Sequence, residues 1–210
     1  MTIGILLMAA GKSRRFKAQT GMHKLLFTLP HQTKSMLTKS YQKLRRYYQP
    51  QNIIIVTNQV EPEIQALAAT FESKQIIVQS DGLGSSIAQS VSTLLKDPES
   101  VIHNWKGLLI LHADLPYISL ETISLVDRYL RIDSPLTVRP TYQNKPGHPV
   151  GFRASLFSAL SKLSGDNGAR SILKEHPPHL LITEDLGILQ DIDSVEDLDQ
   201  SIDSLILKNR

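Results

Sequence analysis

The 210-residue chain contains no cysteine. That excludes a disulfide framework, a thiol nucleophile and a Cys-based zinc site, and nothing requires an oxidising compartment. Long apolar runs are also missing: none approaches the ~20 residues of a membrane-crossing helix. Residues 3–10 are too short for a secretory signal, lack a basic leader, and run straight into Gly11-Lys12-Ser13. Nor is there a strong excess of one charge, since 23 Lys and Arg against 20 Asp and Glu leave +3, too little to demand an anionic macromolecule. No long basic stripe with interleaved aromatics marks a nucleic-acid face. The expectation is a cytoplasmic protein that meets neither nucleic acid nor membrane. A chain of this length suits one domain spanning 1–210, able to bury roughly 70% of its unfolded surface.

Two familiar nucleotide fingerprints are present only in part. The stretch GILLMAAGKSRRF, residues 4–16, ends in Gly-Lys-Ser, but a P-loop needs a glycine at position 6, where Leu6 stands. The stretch DGLGSS has Gly82 and Gly84, but a dinucleotide fingerprint needs another glycine at position 87, where Ile87 stands. Both loops retain the raw material of a phosphate cradle. Ala9, Ala10 and Gly11 are small enough for backbone N–H groups to approach a ligand, and Lys12, Arg14, Arg15, Lys17 and Lys24 can neutralise phosphate charge. Ser85 or Ser86 can equally be an ordinary helix cap.

Apolar runs of strand length recur at 3–8, 53–57, 76–79, 108–111, 136–139, 149–152 and 180–182. Between many of them lie segments of helical period, at 35–48, 61–72, 85–96, 119–131 and 154–163. Strands apolar throughout, alternating with helices, predict an α/β fold: three layers around a mostly parallel sheet. In such sheets ligands bind beyond the carboxyl ends of strands. Three loops in that position carry chemistry: AAGKSRR, SDGLGSS and HADLPYIS. The polar stretch from Phe16 to Leu25 reads as a long basic loop that a phosphate ligand would order.

In LLILHADLP an apolar strand ends almost directly in Asp114, where a carboxylate is well placed to hold Mg²⁺ against a nucleotide phosphate, or simply to cap a turn. His112 and Asp114 also form a metal-ligand pair in principle, but no further ligand accompanies them. In LQDIDSVEDLDQSI, Asp191 and Asp193 precede a helical pattern and serve either as helix caps or as a second metal carboxylate. His148 lies in KPGHPVGF, and Arg170 opens a helix after GDNGAR.

These segments in this order (MAAGKSRR, KLL, GLGSSI, LHADLP, PGHPVGF, GDNGAR and DIDSVEDL) resemble the molybdenum cofactor nucleotidyltransferase family over nearly the whole chain, most nearly its cytidylyl branch. The resemblance implies a Rossmann-like nucleotidyltransferase fold and a transferase that takes CTP, a phosphorylated acceptor such as molybdopterin, and Mg²⁺. It also implies a molybdoenzyme or chaperone partner. By resemblance, Ala9, Ala10, Gly11, Lys12 and Ser13 hold the nucleotide together with Gly82, Gly84, Ser85 and Ser86. Arg15 and Lys24 meet its phosphates, Asp114 and Asp193 hold the metal, and His148 and Arg170 face the acceptor. The family's glycine after the arginine is missing, so Lys12 and Lys17 remain alternatives to Lys24, as Asp191 does to Asp193. Ala9-Ala10-Gly11 resembles the cytidylyl rather than the guanylyl branch.

Overall fold

A strand that is apolar on both sides is stable only between two layers, and β1 (Thr2–Ala9) is buried at seven consecutive positions. Its side chains divide by parity. Ile3, Ile5, Leu7 and Ala9 pack into one core, while Leu6 and Met8 pack into another on the opposite face. The computed structural model describes residues 2–29, 32–132 and 135–198. The further elements are α1 (Arg14–Thr20), α2 (Met36–Arg45), β2 (Ile53–Asn58), α3 (Pro62–Ala68), β3 (Lys74–Val78), α4 (Leu83–Lys96) and β4 (Trp105–His112). They continue as α5 (Leu120–Arg131), β5 (Thr137–Tyr142), β6 (Lys145–Pro146), β7 (Val150–Arg153), α6 (Phe157–Leu160), α7 (Arg170–Glu175) and β8 (His179–Ile182).

The sheet runs β3-β2-β1-β4-β7-β5-β6, with β8 paired to β5. β3, β2, β1 and β4 are parallel, and β7 runs antiparallel between β4 and β5. Helices α2, α3 and α5 cover one face through Leu37, Tyr41, Ile64, Ile123 and Val126. Helices α4, α6 and α7 cover the other through Ile87, Val91, Phe157, Leu160 and Ile172. This is the expected three-layer α/β fold, and it puts the carboxyl ends of β1, β2, β3 and β4 along one edge.

Two expectations need correction. The stretch read as a loop after Phe16 begins as a helix, α1. Phe16 is fully buried and meets Phe27 edge to face at 5.2 Å. Gly21 ends the helix at φ 71°, in the left-handed region that glycine enters at least cost, and donates its N–H to the Lys17 carbonyl. One large anchor thus docks a helix whose other residues, Ala18 apart, are polar. The segment read as a helix over 154–163 is a 3₁₀ turn followed by the four-residue α6. The helical pattern after Asp193 starts at Glu196, and its continuation beyond Leu198 lies outside the described residues.

Candidate active site

The strand ends open into a cavity of about 400 Å³. From the first loop Ala10, Gly11, Lys12, Ser13 and Arg15 line it; from the second, Gly82 and Ser86; from elsewhere, Lys24, Asp114 and Asp193. The structure thus gathers residues up to 185 positions apart, from Met8 to Asp193, around one space. Ala9, Gly84, Ser85, His148 and Arg170 are not among its lining. Arg14, read among the phosphate-neutralising cations, and His112, read only as a possible metal partner of Asp114, line it too, and sequence reasoning singled out none of Met8, Ser80, Asp81, Leu83 and Asp166, which also do. The strand-end rule that picked out Asp114 also covers Met8, Ser80 and His112, because each lies within two residues of the carboxyl end of a parallel strand.

The first loop is held from three sides. Asn58, at the end of β2, donates from Nδ2 to the Ala10 carbonyl at 3.3 Å and to the Ser80 carbonyl at 2.7 Å, joining loops one and two. The buried His23 accepts the Leu25 N–H at Nδ1 and so donates from Nε2 to the Gly11 carbonyl at 2.9 Å. Burial holds the His23 pKa below the ordinary histidine value, despite the Gly11 bond. Ser13 stands in the left-handed region at φ 50°, and its Oγ accepts the Lys24 N–H at 2.9 Å. That non-glycine residue is tolerated because its side chain ties the loop to Lys24.

The glycines of loop two serve a different purpose. A Cβ on Gly82 would lie 2.3 Å from the Gly165 carbonyl oxygen, and one on Gly84 2.7 Å from that of Ser164. They let α4 seat the GDNG turn. The Ser85 Oγ then accepts the Gly165 N–H at 3.0 Å, and an Asp166 oxygen accepts the Leu83 N–H at 3.3 Å. Gly11 is the opposite case, with nothing within 4 Å of an added Cβ.

The charged centre lies at the end of β4. The ammonium of Lys24 sits 2.7 Å from Asp114 Oδ2 and 2.5 Å from Asp193 Oδ1, with Arg15 3.9 Å from Asp193 Oδ2. Burial opposes the Lys24 charge, but Asp114 and then Asp193 outweigh it and hold the pKa above the ordinary lysine value. Lys12 pairs instead with Asp81 at the cavity mouth. Lys17 turns away to Glu61 at 2.5 Å and does not line the cavity.

Both carboxylate segments are fixed through backbone. Ser40 and Lys43 of α2 donate to carbonyls of the loop after β4, at Ala113 for Ser40 and at Pro116 and Ile118 for Lys43. The Ile192 N–H donates to the Asp114 carbonyl at 3.1 Å. Gln19 of α1 grips the following turn, donating to Glu196 and accepting the Val195 N–H at 3.0 Å. Beneath the site the His112 and His148 rings lie 4.3 Å apart. His112 Nε2, His148 Nδ1 and Asp114 Oδ1 are buried without a hydrogen-bond partner. Burial first, then His112 and Arg139, push the His148 pKa well below the ordinary value.

Among the described residues no three His, Cys, Asp or Glu side chains converge on a point that would hold a metal. Two carboxylates and an unpartnered oxygen on Asp114 suit a hard cation that completes its shell with phosphate oxygens and water, as Mg²⁺ does.

Strand ends that present small-residue loops, basic side chains and paired carboxylates to one cavity define a transferase of nucleotides. The chain belongs to the MobA-like NTP transferase domain family, whose model matches residues 5–180. No curated protein matches the chain. The solved structure of Rv0371c from Mycobacterium tuberculosis H37Rv matches with a TM-score of 0.78 at 20% identity, covering 97% of this chain and 99% of that one. Its complex with manganese matches at 0.74 and 19%, covering 97% and 100%. The 4-diphosphocytidyl-2C-methyl-D-erythritol synthase of Anaerococcus prevotii matches at 0.69 and 14%, covering 97% and 95%. Molybdopterin-guanine dinucleotide biosynthesis protein A of Archaeoglobus fulgidus matches at 0.65 and 15%, covering 97% and 100%. At these identities the likenesses establish the fold, a mixed and mostly parallel nucleotidyltransferase sheet. No described helix is long and apolar enough to cross a membrane.

Proposed function

We propose that this chain, acting as one domain, transfers CMP from CTP to a phosphorylated small-molecule acceptor of the molybdopterin class and releases pyrophosphate, with Mg²⁺. The observation that carries the reading is the Asp114–Lys24–Asp193 cluster facing the AAGKSRR loop across one cavity. An acceptor phosphate oxygen attacks the α-phosphorus in line, and the bond to the bridging oxygen breaks as pyrophosphate leaves. No protein nucleophile is required, so catalysis is positioning and charge neutralisation. Asp114 and Asp193 would hold the divalent cation, which supplies neutralisation of the triphosphate when bound. Backbone N–H groups of the Ala10–Gly11 loop would cradle phosphates, with Lys12, Arg15 and Lys24 as their cationic partners. Ser80, Gly82 and Ser86 would border the nucleoside. His148 would act through His112, behind which it lies, rather than by direct contact.

The choice of CTP rests on Ala10, whose methyl narrows the first-loop wall of the cavity and disfavours a purine. One methyl alone discriminates by only ~1–3 kcal/mol, so the second loop shares the selection. The test is pyrophosphate release across CTP, GTP, ATP and UTP, with and without molybdenum cofactor. The highest kcat/KM is expected with CTP, and Ala10→Gly should relax the preference without reversing it. A higher kcat/KM with GTP would move the chain to a guanylyl role. Nucleotide binding without pyrophosphate release under any condition would make it a non-catalytic binder.

A further inference from the structure

The carboxylates that suit a metal are already occupied by an internal cation. Lys24 Nζ lies within 2.7 Å of Asp114 and 2.5 Å of Asp193, and its side chain is only 9% exposed. It therefore stands between the two carboxylates, the region a cation shared by both would need. An ammonium and a divalent ion cannot share that region, because both are cations drawn to the same oxygens. One of the two must be able to leave.

The backbone of Lys24 does not offer that freedom. Its N–H is held by Ser13 Oγ, its carbonyl accepts the Phe27 N–H at 3.0 Å, and the neighbouring Leu25 N–H is held by His23. The side chain does offer it, as a point charge on a flexible four-carbon stem rooted in a fixed turn. The same cavity, which Gly11 and Lys12 of the first loop also line, has space for the head group to swing into.

We infer that Lys24 is the resident counter-ion of the Asp114–Asp193 pair and exchanges with the divalent cation, so that metal entry delivers its ammonium to the nucleotide's phosphates. This rests on the metal reading given above. It assigns Lys24 two successive anionic partners, carboxylates before metal binds and phosphates after. It also makes metal and nucleotide binding cooperative: the metal competes with Lys24 for the carboxylates when no phosphate is present, and loses that competitor when triphosphate takes the lysine.

The distinguishing feature is a sign. If Lys24 only braces the site, neutralising it leaves metal affinity unchanged or weakens it. If Lys24 competes with the metal, neutralising it strengthens metal binding in the absence of nucleotide. Mn²⁺ binding to the nucleotide-free protein, followed by the electron paramagnetic resonance of the free ion, should be at least tenfold tighter in Lys24→Met than in wild type, and at least tenfold weaker in Asp114→Asn. Equal or weaker binding in Lys24→Met overturns the exchange. Unchanged binding in both Asp114→Asn and Asp193→Asn would instead overturn the metal reading beneath it. The wild-type protein supplies a check that needs no folded variant. With ¹³C at lysine Cε, the Lys24 resonance should move toward the position of solvent-exposed lysines as Mg²⁺ is added, while that of Lys17, paired with Glu61, stays in place. A Lys24 resonance that ignores Mg²⁺ at saturation also overturns the proposal.

Discussion

The two glycine-bearing loops should respond to a single methyl in opposite ways. In Gly82→Ala the new Cβ would lie 2.3 Å from the Gly165 oxygen, 2.5 Å from its carbonyl carbon and 2.8 Å from the Asp166 nitrogen. All three are backbone atoms, so no side chain can rotate aside, and the two loops must separate by roughly 1 Å to restore ordinary contact. Separation breaks the Ser85–Gly165 and Leu83–Asp166 hydrogen bonds. Overpacking of this kind costs ~1–3 kcal/mol, and lost hydrogen bonds add about 1 kcal/mol each, against ~0.4–1 kcal/mol gained by restricting the unfolded chain. The net loss is about 2–4 kcal/mol. At ~2–4 °C per kcal/mol for a chain of this size, Tm should fall by roughly 5–15 °C. Gly11→Ala meets nothing within 4 Å and should keep wild-type Tm within about 2 °C, while weakening nucleotide binding because its methyl enters ligand space. Calorimetry with nucleotide titration reads both. A Gly82→Ala protein that melts with wild type would refute the close-packing assignment, and a Gly11→Ala protein that binds nucleotide normally would refute the cradle.

Asp114→Asn should lower kcat/KM by 10²–10⁴-fold, about 3–5 kcal/mol at ~1.4 kcal/mol per decade; near wild-type turnover would remove its metal role. Asp191→Asn should be milder than Asp193→Asn, since Asp193 alone of the two lines the cavity and reaches Lys24, and steady-state kinetics showing the reverse order would exchange their roles. Lys17→Ala should leave the KM for nucleotide within about twofold while Lys12→Ala raises it, because Lys17 is spent on Glu61 outside the cavity. Stability should decline as pH falls below 6.5: His23 and His148 have native pKa values below that of unfolded histidine, so the unfolded chain alone gains protons there. Melts between pH 7.5 and 5.5 should show this decline, shallower in His23→Gln, and a flat wild-type profile would mean that neither ring is held neutral.

What the local pattern revealed was the set of strand ends. Buried parallel strands are apolar throughout, so the residue at which each turns polar is visible without a structure, and in this fold that residue faces the ligand. Asp114 and the AAGKSRR loop were legible for this reason. Helix α1 was not, because its stability comes from one phenylalanine docking on a core made elsewhere, and seven residues with a single anchor have no readable period. The glycines of loop two were legible as glycines but not as to purpose. Their partner is the turn at 164–168, about 80 residues away, and local spacing cannot distinguish a backbone that approaches a ligand from one that approaches another backbone.

The charged centre marks the same limit and shows how the fold overcomes it. Lys24 and Asp193 are 169 residues apart, and no periodicity links them. Their meeting depends on ties that are invisible as motifs: Ser13 and His23 fix the turn that carries Lys24, the Asp114 carbonyl takes the Ile192 N–H, and Gln19 holds the turn after Asp193. Each tie acts on backbone, or on backbone and a side chain, and leaves the heads of Asp114, Lys24 and Asp193 held by ion pairs with one another and, at Asp193, with Arg15. That division has a physical consequence. Ion pairs between movable heads can be exchanged for new partners at modest cost, whereas the backbone on which they stand cannot move without breaking several hydrogen bonds together. A transferase that must accept a triphosphate, neutralise it and release pyrophosphate needs this combination, in which the charges change partners and the frame that positions them does not.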